Sequence, residues 1–321
     1  MEDLFRKRIN YNGDIRDISI QICKDYDIGD FKSNNLILMG YEDFNIIIET
    51  SKGKYFVKIF ANFRAMDDCE RYVDIMEKAN GAKISTPKLL KSKQGFLHLI
   101  EINKVKLRLC VAEFINGKTL FETKERLNSE EIKFLAHQIA LINQLDIKPK
   151  FIHDEWAITN FLKEFEKKSK SLSKEDFKLI EPLVKRYKEL NIEKLPHCFV
   201  HGDIIATNVM KDINGKLWII DFSVSNYYPK IQEMAVLACN LLFDENNRDK
   251  SKENLEVSLK EYQKTIRLTN VELEALPTYI QLAHAMHLLS ANYEKVSKNN
   301  TTKENEYWLN QGRIGLIQND D

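Results

Sequence analysis

Apolar side chains recur at helical spacing over residues 14–26 (DIRDISIQICKDY), which predicts a helix at the start of the chain, broken at Gly29. The period then shortens. Residues 35–39 (NLILM), 45–50 (NIIIET) and 54–60 (KYFVKIF) are β-rich, and the SKGK between the last two marks a hairpin turn. Residues 66–79 (MDDCERYVDIMEKA) return to helical spacing and stop at Asn80-Gly81. Residues 96–102 (FLHLIEI) and 107–115 (LRLCVAEFI) add two strands, so 35–115 is mainly sheet with one helix inserted. Beyond Asn116-Gly117 the pattern is helical over 129–145, 158–170, 173–190, 231–243, 251–267 and 271–297. Ser129 and Ser173 stand where N-caps are favoured. Two short strands, 208–210 and 217–221, flank the turn at Asn214-Gly215. The expected organisation is therefore a sheet-rich lobe, residues 1–115 with the leading helix, followed by a helical lobe, residues 116–321. A junction of two lobes favours a small-molecule site.

Composition narrows the classes. The 321 residues carry 48 basic and 48 acidic side chains, and zero net charge argues against a nucleic-acid partner. No apolar run approaches the ~18 residues of a membrane helix, and the N-terminus lacks a secretory apolar core, so no membrane association is expected. Five widely spaced cysteines with no C-x-x-C pair favour free thiols and a reducing cytoplasm over disulfides or zinc. Oligomeric state is not readable from this pattern.

The chemistry concentrates in residues 199–223, FVHGDIIATNVMKDINGKLWIIDFS. His201-Gly202-Asp203 is followed five positions later by Asn208, and Asp221 sits alone at the end of an apolar strand. Phosphoryl transfer to a hydroxyl gives these residue types a task. One carboxylate accepts or orients the hydroxyl proton; a second carboxylate and an amide oxygen hold Mg²⁺ against the phosphates. Asp203 fits the first role, and Asn208 and Asp221 the second. Burying Asp221 among Ile219, Ile220 and Phe222 without a partner would be costly, which also favours a cation there. The plainer alternatives are a helix-capping role for Asp203 and a structural salt bridge for Asp221. His201 is expected to hydrogen-bond the loop backbone.

With these motifs the chain resembles the small-molecule kinases of the aminoglycoside phosphotransferase, choline kinase and homoserine kinase group. The group's H-G-D-x-x-x-x-N loop matches His201, Gly202, Asp203 and Asn208. Its I-D-F/W motif matches Ile220, Asp221 and Phe222, and its P-x-x-x-[DE]-[LM]-A stretch resembles Pro229, Glu233, Met234 and Ala235. The resemblance implies an α+β, bilobal protein-kinase-like fold: an N-terminal antiparallel sheet with an inserted helix, and a mainly helical C-terminal lobe. It implies an ATP- and Mg²⁺-dependent transfer of the γ-phosphate to a small-molecule hydroxyl.

Further assignments follow from the resemblance. Gly40 to Asn45 look like the nucleotide loop, whose backbone N–H groups cradle phosphates. Lys58 matches the strand lysine of the α/β-phosphates, with Glu70 as its helix partner and Asp67, Asp68 and Glu77 as rivals. Glu113 to Ile115 resemble the hinge whose backbone binds adenine. The opening helix looks most like the homoserine kinase branch, which makes a homoserine-like amino alcohol the first acceptor class. Aminoglycoside, choline-like and sugar acceptors stay open. A weakly active nucleotide-binding regulator and an atypical protein kinase are the competing functions. His284 and His287, three apart on one helix, lack a third metal ligand in the sequence and read as a helix flank.

Overall fold

The computed structural model describes residues 2–38 and 43–318. By contact the chain divides into two units: residues up to Gly117 together with Asp212–Asn214, and Lys118–Lys211 together with the residues from Gly215 onward.

The first unit opens with α1 (Glu2–Ile9), an element the sequence pattern did not announce because one short basic turn pair shows little periodicity. Next come α2 (Ile15–Asp25), β1 (Phe31–Ile37), β2 (Phe44–Thr50) and β3 (Lys54–Ile59). After these follow α3 (Met66–Gly81), β4 (Leu89–Leu90), β5 (His98–Ile102) and β6 (Val105–Glu113). The strands form one antiparallel sheet in the order β1-β2-β3-β6-β4, with β5 also paired to β6. Period-2 alternation sends Phe44, Ile46 and Ile48 of β2, and Val57 and Ile59 of β3, into a core completed by Ile15, Ile18 and Ile22 of α2. Burying one such side chain contributes roughly 1.5–3 kcal/mol. The residues between them, Asn45 and Lys58, are cross-strand partners on the opposite face of the sheet. Tyr72 of α3 comes to that face, its ring 5.1 Å from the Lys58 ammonium.

The second unit begins where β7 (Gly117–Thr119) crosses the division and runs into α4 (Leu120–Thr123). Helices α5 (Ser129–Asn143), α6 (Phe161–Lys168) and α7 (Lys174–Glu189) follow. The strands β8 (His197–Val200), β9 (Val209–Asp212), β10 (Leu217–Ile219) and β11 (Asn226–Pro229) carry the 199–223 segment. The unit closes with α8 (Ile231–Cys239), α9 (Arg248–Tyr262), α10 (Asn270–Lys298) and α11 (Lys303–Gln318). Thr269 and Glu272 form a reciprocal capping box that starts the 29-residue α10. The sequence pattern stops at 297 and omits α11, whose Gly312 and Gly315 weaken its helical signal. No helix among the described residues is long and apolar enough to cross a membrane. All five cysteines are free thiols, and four of them are buried.

Candidate active site

In the second unit, β8 ends at Val200 with Phe199 and Val200 fully buried, and the chain turns at once into His201-Gly202-Asp203. Gly202 takes φ +85°, a conformation that a side chain would strain. The buried Glu233 of α8 clamps this turn. Its carboxylate accepts the His201 amide at 2.6 Å and the Gly202 amide at 3.2 Å. The His201 ring fixes the next bond: Nδ1 accepts the Asp203 amide at 3.2 Å, so Nε2 carries the hydrogen and donates to the Ile220 carbonyl at 3.2 Å. Burial pushes the imidazole down to about 4, which keeps this neutral tautomer in place. His201 is thus a brace between the 201–208 loop and the strand that leads to Asp221.

Asp203 and Asn208 meet directly. Asn208 Nδ2 donates to the Asp203 carboxylate at 2.6 Å and to the Asp203 carbonyl at 3.0 Å. That orientation turns Oδ1 of Asn208 into the oxygen available to a metal. The β9–β10 hairpin pairs Ile219 with Val209, and one step further the Ile220 amide donates to the Asn208 carbonyl at 2.9 Å. The register therefore places Asp221 one residue past the backbone partner of Asn208. Asp221 has φ +64° and accepts the Ser223 amide at 3.2 Å and the Ser223 hydroxyl. A non-glycine residue in that region is uncommon and marks a constrained turn.

Burial drives the Asp203 carboxyl well above its ordinary range, and the nearby Asp154 and Asp221 carboxylates push the same way. The Asn208 hydrogen bond opposes them, and Glu304 of α11 adds to the rise. The Asp154, Asp221 and Glu304 carboxylates thus all act on Asp203 in the same direction, towards the protonated form. Among the described residues no three His, Cys, Asp or Glu side chains gather as a complete metal cage. Mg²⁺ is suited to such a partial donor set, because it takes one or two carboxylates and fills its octahedron with phosphate oxygens and water. The oxygen donors of Asn208 and Asp221 fit that ion.

The first unit holds the remaining predicted residues. Gly40 lies outside the described residues. Lys58 is 3% exposed, and its ammonium is 3.2 Å from Asp43, whose side chain is 2% exposed. Glu70 is not its partner: it is exposed on the outer side of α3, whose inward stripe is Cys69, Tyr72, Val73, Met76 and Ala79. The helix phase therefore corrects the Lys58–Glu70 pairing. Asp67 and Glu77 are exposed as well. Asn45 Oδ1 is buried beside Lys58 with no hydrogen-bond partner among the described residues. At the end of β6 the Glu113 amide donates to the Lys88 carbonyl, and its carboxylate accepts the Lys88 amide at 3.1 Å. The Ile115 carbonyl accepts from Gly117 at 2.9 Å.

Several functional candidates had no separate signal in the sequence. Glu233 stood within a recognised stretch without a role, and Asp154 and Glu304 are distant from Asp203 along the chain. His284 and His287 are buried in the packing of α10. The His287 Nδ1 is 2.7 Å from Gln311 Oε1, and Phe243 meets the His284 ring edge-on at 4.8 Å.

The profile of the phosphotransferase enzyme family matches residues 30–263, and the chain belongs to that family of small-molecule kinases. A search of curated proteins returns no match. Among solved structures, an amicoumacin kinase in complex with AMP-PNP, Ca²⁺ and Ami is 16% identical with a TM-score of 0.70, covering 99% of this chain and 96% of that one. A microcompartment-associated aminopropanol kinase is 14% identical at a TM-score of 0.67, with 96% and 97% covered. A choline kinase from Streptococcus pneumoniae is 15% identical at 0.61, with 95% and 99% covered. The fold is the bilobal protein-kinase-like α+β fold of these enzymes.

Glu233 carries a prediction of its own. Burial lifts its carboxyl to about 7, against the opposing Gly202 and His201 amides. An unfolded glutamate titrates near 4.5. Because the folded state holds the proton more tightly, the associated stability is full below 4.5 and is lost as pH rises through about 7. The difference is about 3 kcal/mol. Urea unfolding at pH 5 and pH 8 should show that loss in the wild type, and Glu233→Gln should reduce it.

Proposed function

We propose that this chain transfers the γ-phosphoryl group of ATP, bound with Mg²⁺, to the hydroxyl of a small alcohol that carries an ammonium group, with a homoserine-like amino alcohol as the first class to test. The observation that carries this reading is the Asp203–Asn208 hydrogen bond, in a loop that the Ile220 amide ties to the strand leading into Asp221. Asp203 takes or orients the hydroxyl proton, so the acceptor oxygen attacks the γ-phosphorus as the bond to the ADP oxygen breaks. Asn208 and Asp221 hold Mg²⁺, whose charge offsets that of the phosphates. Lys58 contacts the α/β-phosphates, and the backbone from Glu113 to Ile115 receives adenine.

The carboxylates of Asp154 and Glu304 act electrostatically on Asp203, and an acceptor ammonium in the same field gains Coulomb energy that a neutral sugar does not. Kinases named for aminopropanol and choline among the similar folds support the same class. The test is an acceptor panel read by ADP release with Mg-ATP, spanning amino alcohols, choline-like alcohols, aminoglycosides and sugars. Turnover confined to neutral sugars, or label transferred only to protein in a cell extract, would overturn the reading. Asp154→Asn should raise the KM of the cationic acceptor about tenfold, a coupling of about 1.4 kcal/mol, and leave the KM of ATP within twofold.

A further inference from the structure

We propose that Asp43, at the mouth of β2, is a positioning residue that holds and aims Lys58, the part expected of Glu70. This rests on the role given to Lys58 above. The sheet register explains the pairing. Asn45 faces Lys58 across the β2–β3 ladder, and Asp43, two residues earlier, emerges on the same face as a diagonal neighbour. A long lysine spans that diagonal, and the ammonium lies 3.2 Å from Oδ2.

Asp43 is itself fixed from several directions. Its Oδ1 accepts the Ala61 amide at 3.0 Å and Nε of Arg64 at 2.8 Å. Its backbone carbonyl accepts Nη1 of Arg8 from α1 at 2.9 Å. Burial opposes the charge, but Lys58 and Arg64 outweigh it and hold the Asp43 carboxyl below the usual range. Meanwhile α3 offers Lys58 an aromatic face, Tyr72, and turns Glu70 outward. A carboxylate that steadies the lysine therefore comes from the chain entering β2, braced by α1 and by the 61–64 loop. A rigidly held carboxylate limits the positions open to the ammonium, and misplacing a positioning group by about an ångström costs up to about 100-fold in rate.

The experiment compares Asp43→Asn, Asp43→Glu and Glu70→Gln in the full chain, after far-UV circular dichroism and thermal melting establish that each is folded. Asp43→Asn keeps the shape and the acceptor for Ala61 and loses the charge. It should lower kcat/KM for ATP by about 10- to 100-fold and leave the acceptor KM unchanged. Asp43→Glu retains the charge and should recover part of that loss, and it keeps the test open if Asp43→Asn does not fold. Glu70→Gln should change kcat/KM for ATP by less than about twofold.

A second readout needs no turnover: labelling of Lys58 by an amine-reactive reagent in nucleotide-free protein, followed by peptide mass spectrometry. A buried ammonium that loses a carboxylate 3.2 Å away shifts towards the neutral, reactive amine. Labelling should therefore rise severalfold in Asp43→Asn and stay low in Asp43→Glu. Wild-type labelling and kcat/KM in Asp43→Asn, or a larger loss in Glu70→Gln, would overturn the proposal while the kinase reading stands. Wild-type protein that neither binds nor turns over Mg-ATP would instead refute the kinase reading and, with it, the role given to the pair.

Discussion

Asp203→Asn should lower kcat by about 10²- to 10⁴-fold, the range of a lost general base, while Mg-ATP still binds. The substitution preserves the side-chain outline, and the amide can still meet the Asn208 side chain that now donates at 2.6 Å. It removes the negative charge and the proton acceptor. The loop should hold its shape, because the braces at His201 and Gly202 are made through their backbone and the Glu233 carboxylate, independently of the Asp203 side chain. Nucleotide affinity should be retained within a few-fold, since the metal donors Asn208 and Asp221 are untouched. Steady-state ADP release gives kcat, and a thermal shift with Mg-ATP gives binding. A variant that turns over within threefold of wild type with its best acceptor would remove Asp203 from the base role. A variant that loses both turnover and the nucleotide shift would make it a structural or metal-holding residue.

What the sequence made legible is local. His201, Gly202, Asp203 and Asn208 fall within eight residues, and the hairpin that returns Ile220, next to Asp221, to Asn208 is announced by Asn214-Gly215 and its flanking strands. Spacing alone brings these groups together, so the motif and the geometry coincide. Lys58 was equally legible, because alternation in KYFVKIF sets it opposite the core residues Val57 and Ile59. Its partner was not. Helical periodicity over 66–79 locates α3 without fixing which acidic residue looks inward, and the apolar stripe in the structure turns Glu70 to solvent. Cross-strand register, which a sequence does not print, selects Asp43 instead. Asp154 and Glu304 are a harder case. They come from 49 residues before and 101 residues after Asp203 in the chain, and only tertiary packing brings their charges to bear on it. The same limit applies to α11, whose two glycines lower its helical propensity and make sense only against the surface of α10.

Gly312→Ala should destabilise the chain by about 3 kcal/mol, the upper end for overpacking, although alanine is the better helix former by about 1 kcal/mol. A Cβ at this position would stand 2.6 Å from both the His284 carbonyl oxygen and the Leu288 backbone nitrogen, and 3.1 Å from the His287 Cβ. The first two are main-chain atoms inside α10, so no side-chain rotation relieves the contact; α11 must move away from α10. His284 and Leu288 are fully buried, and Trp308 on the same face of α11 is 2% exposed, so the displacement opens a packed core. At roughly 2–4 °C per kcal/mol for a unit of this size, the melting temperature should fall by about 10 °C. Denaturant unfolding and a thermal melt both read the loss. A melting temperature equal to or above wild type would show that helix propensity outweighs the close approach of α10 and α11.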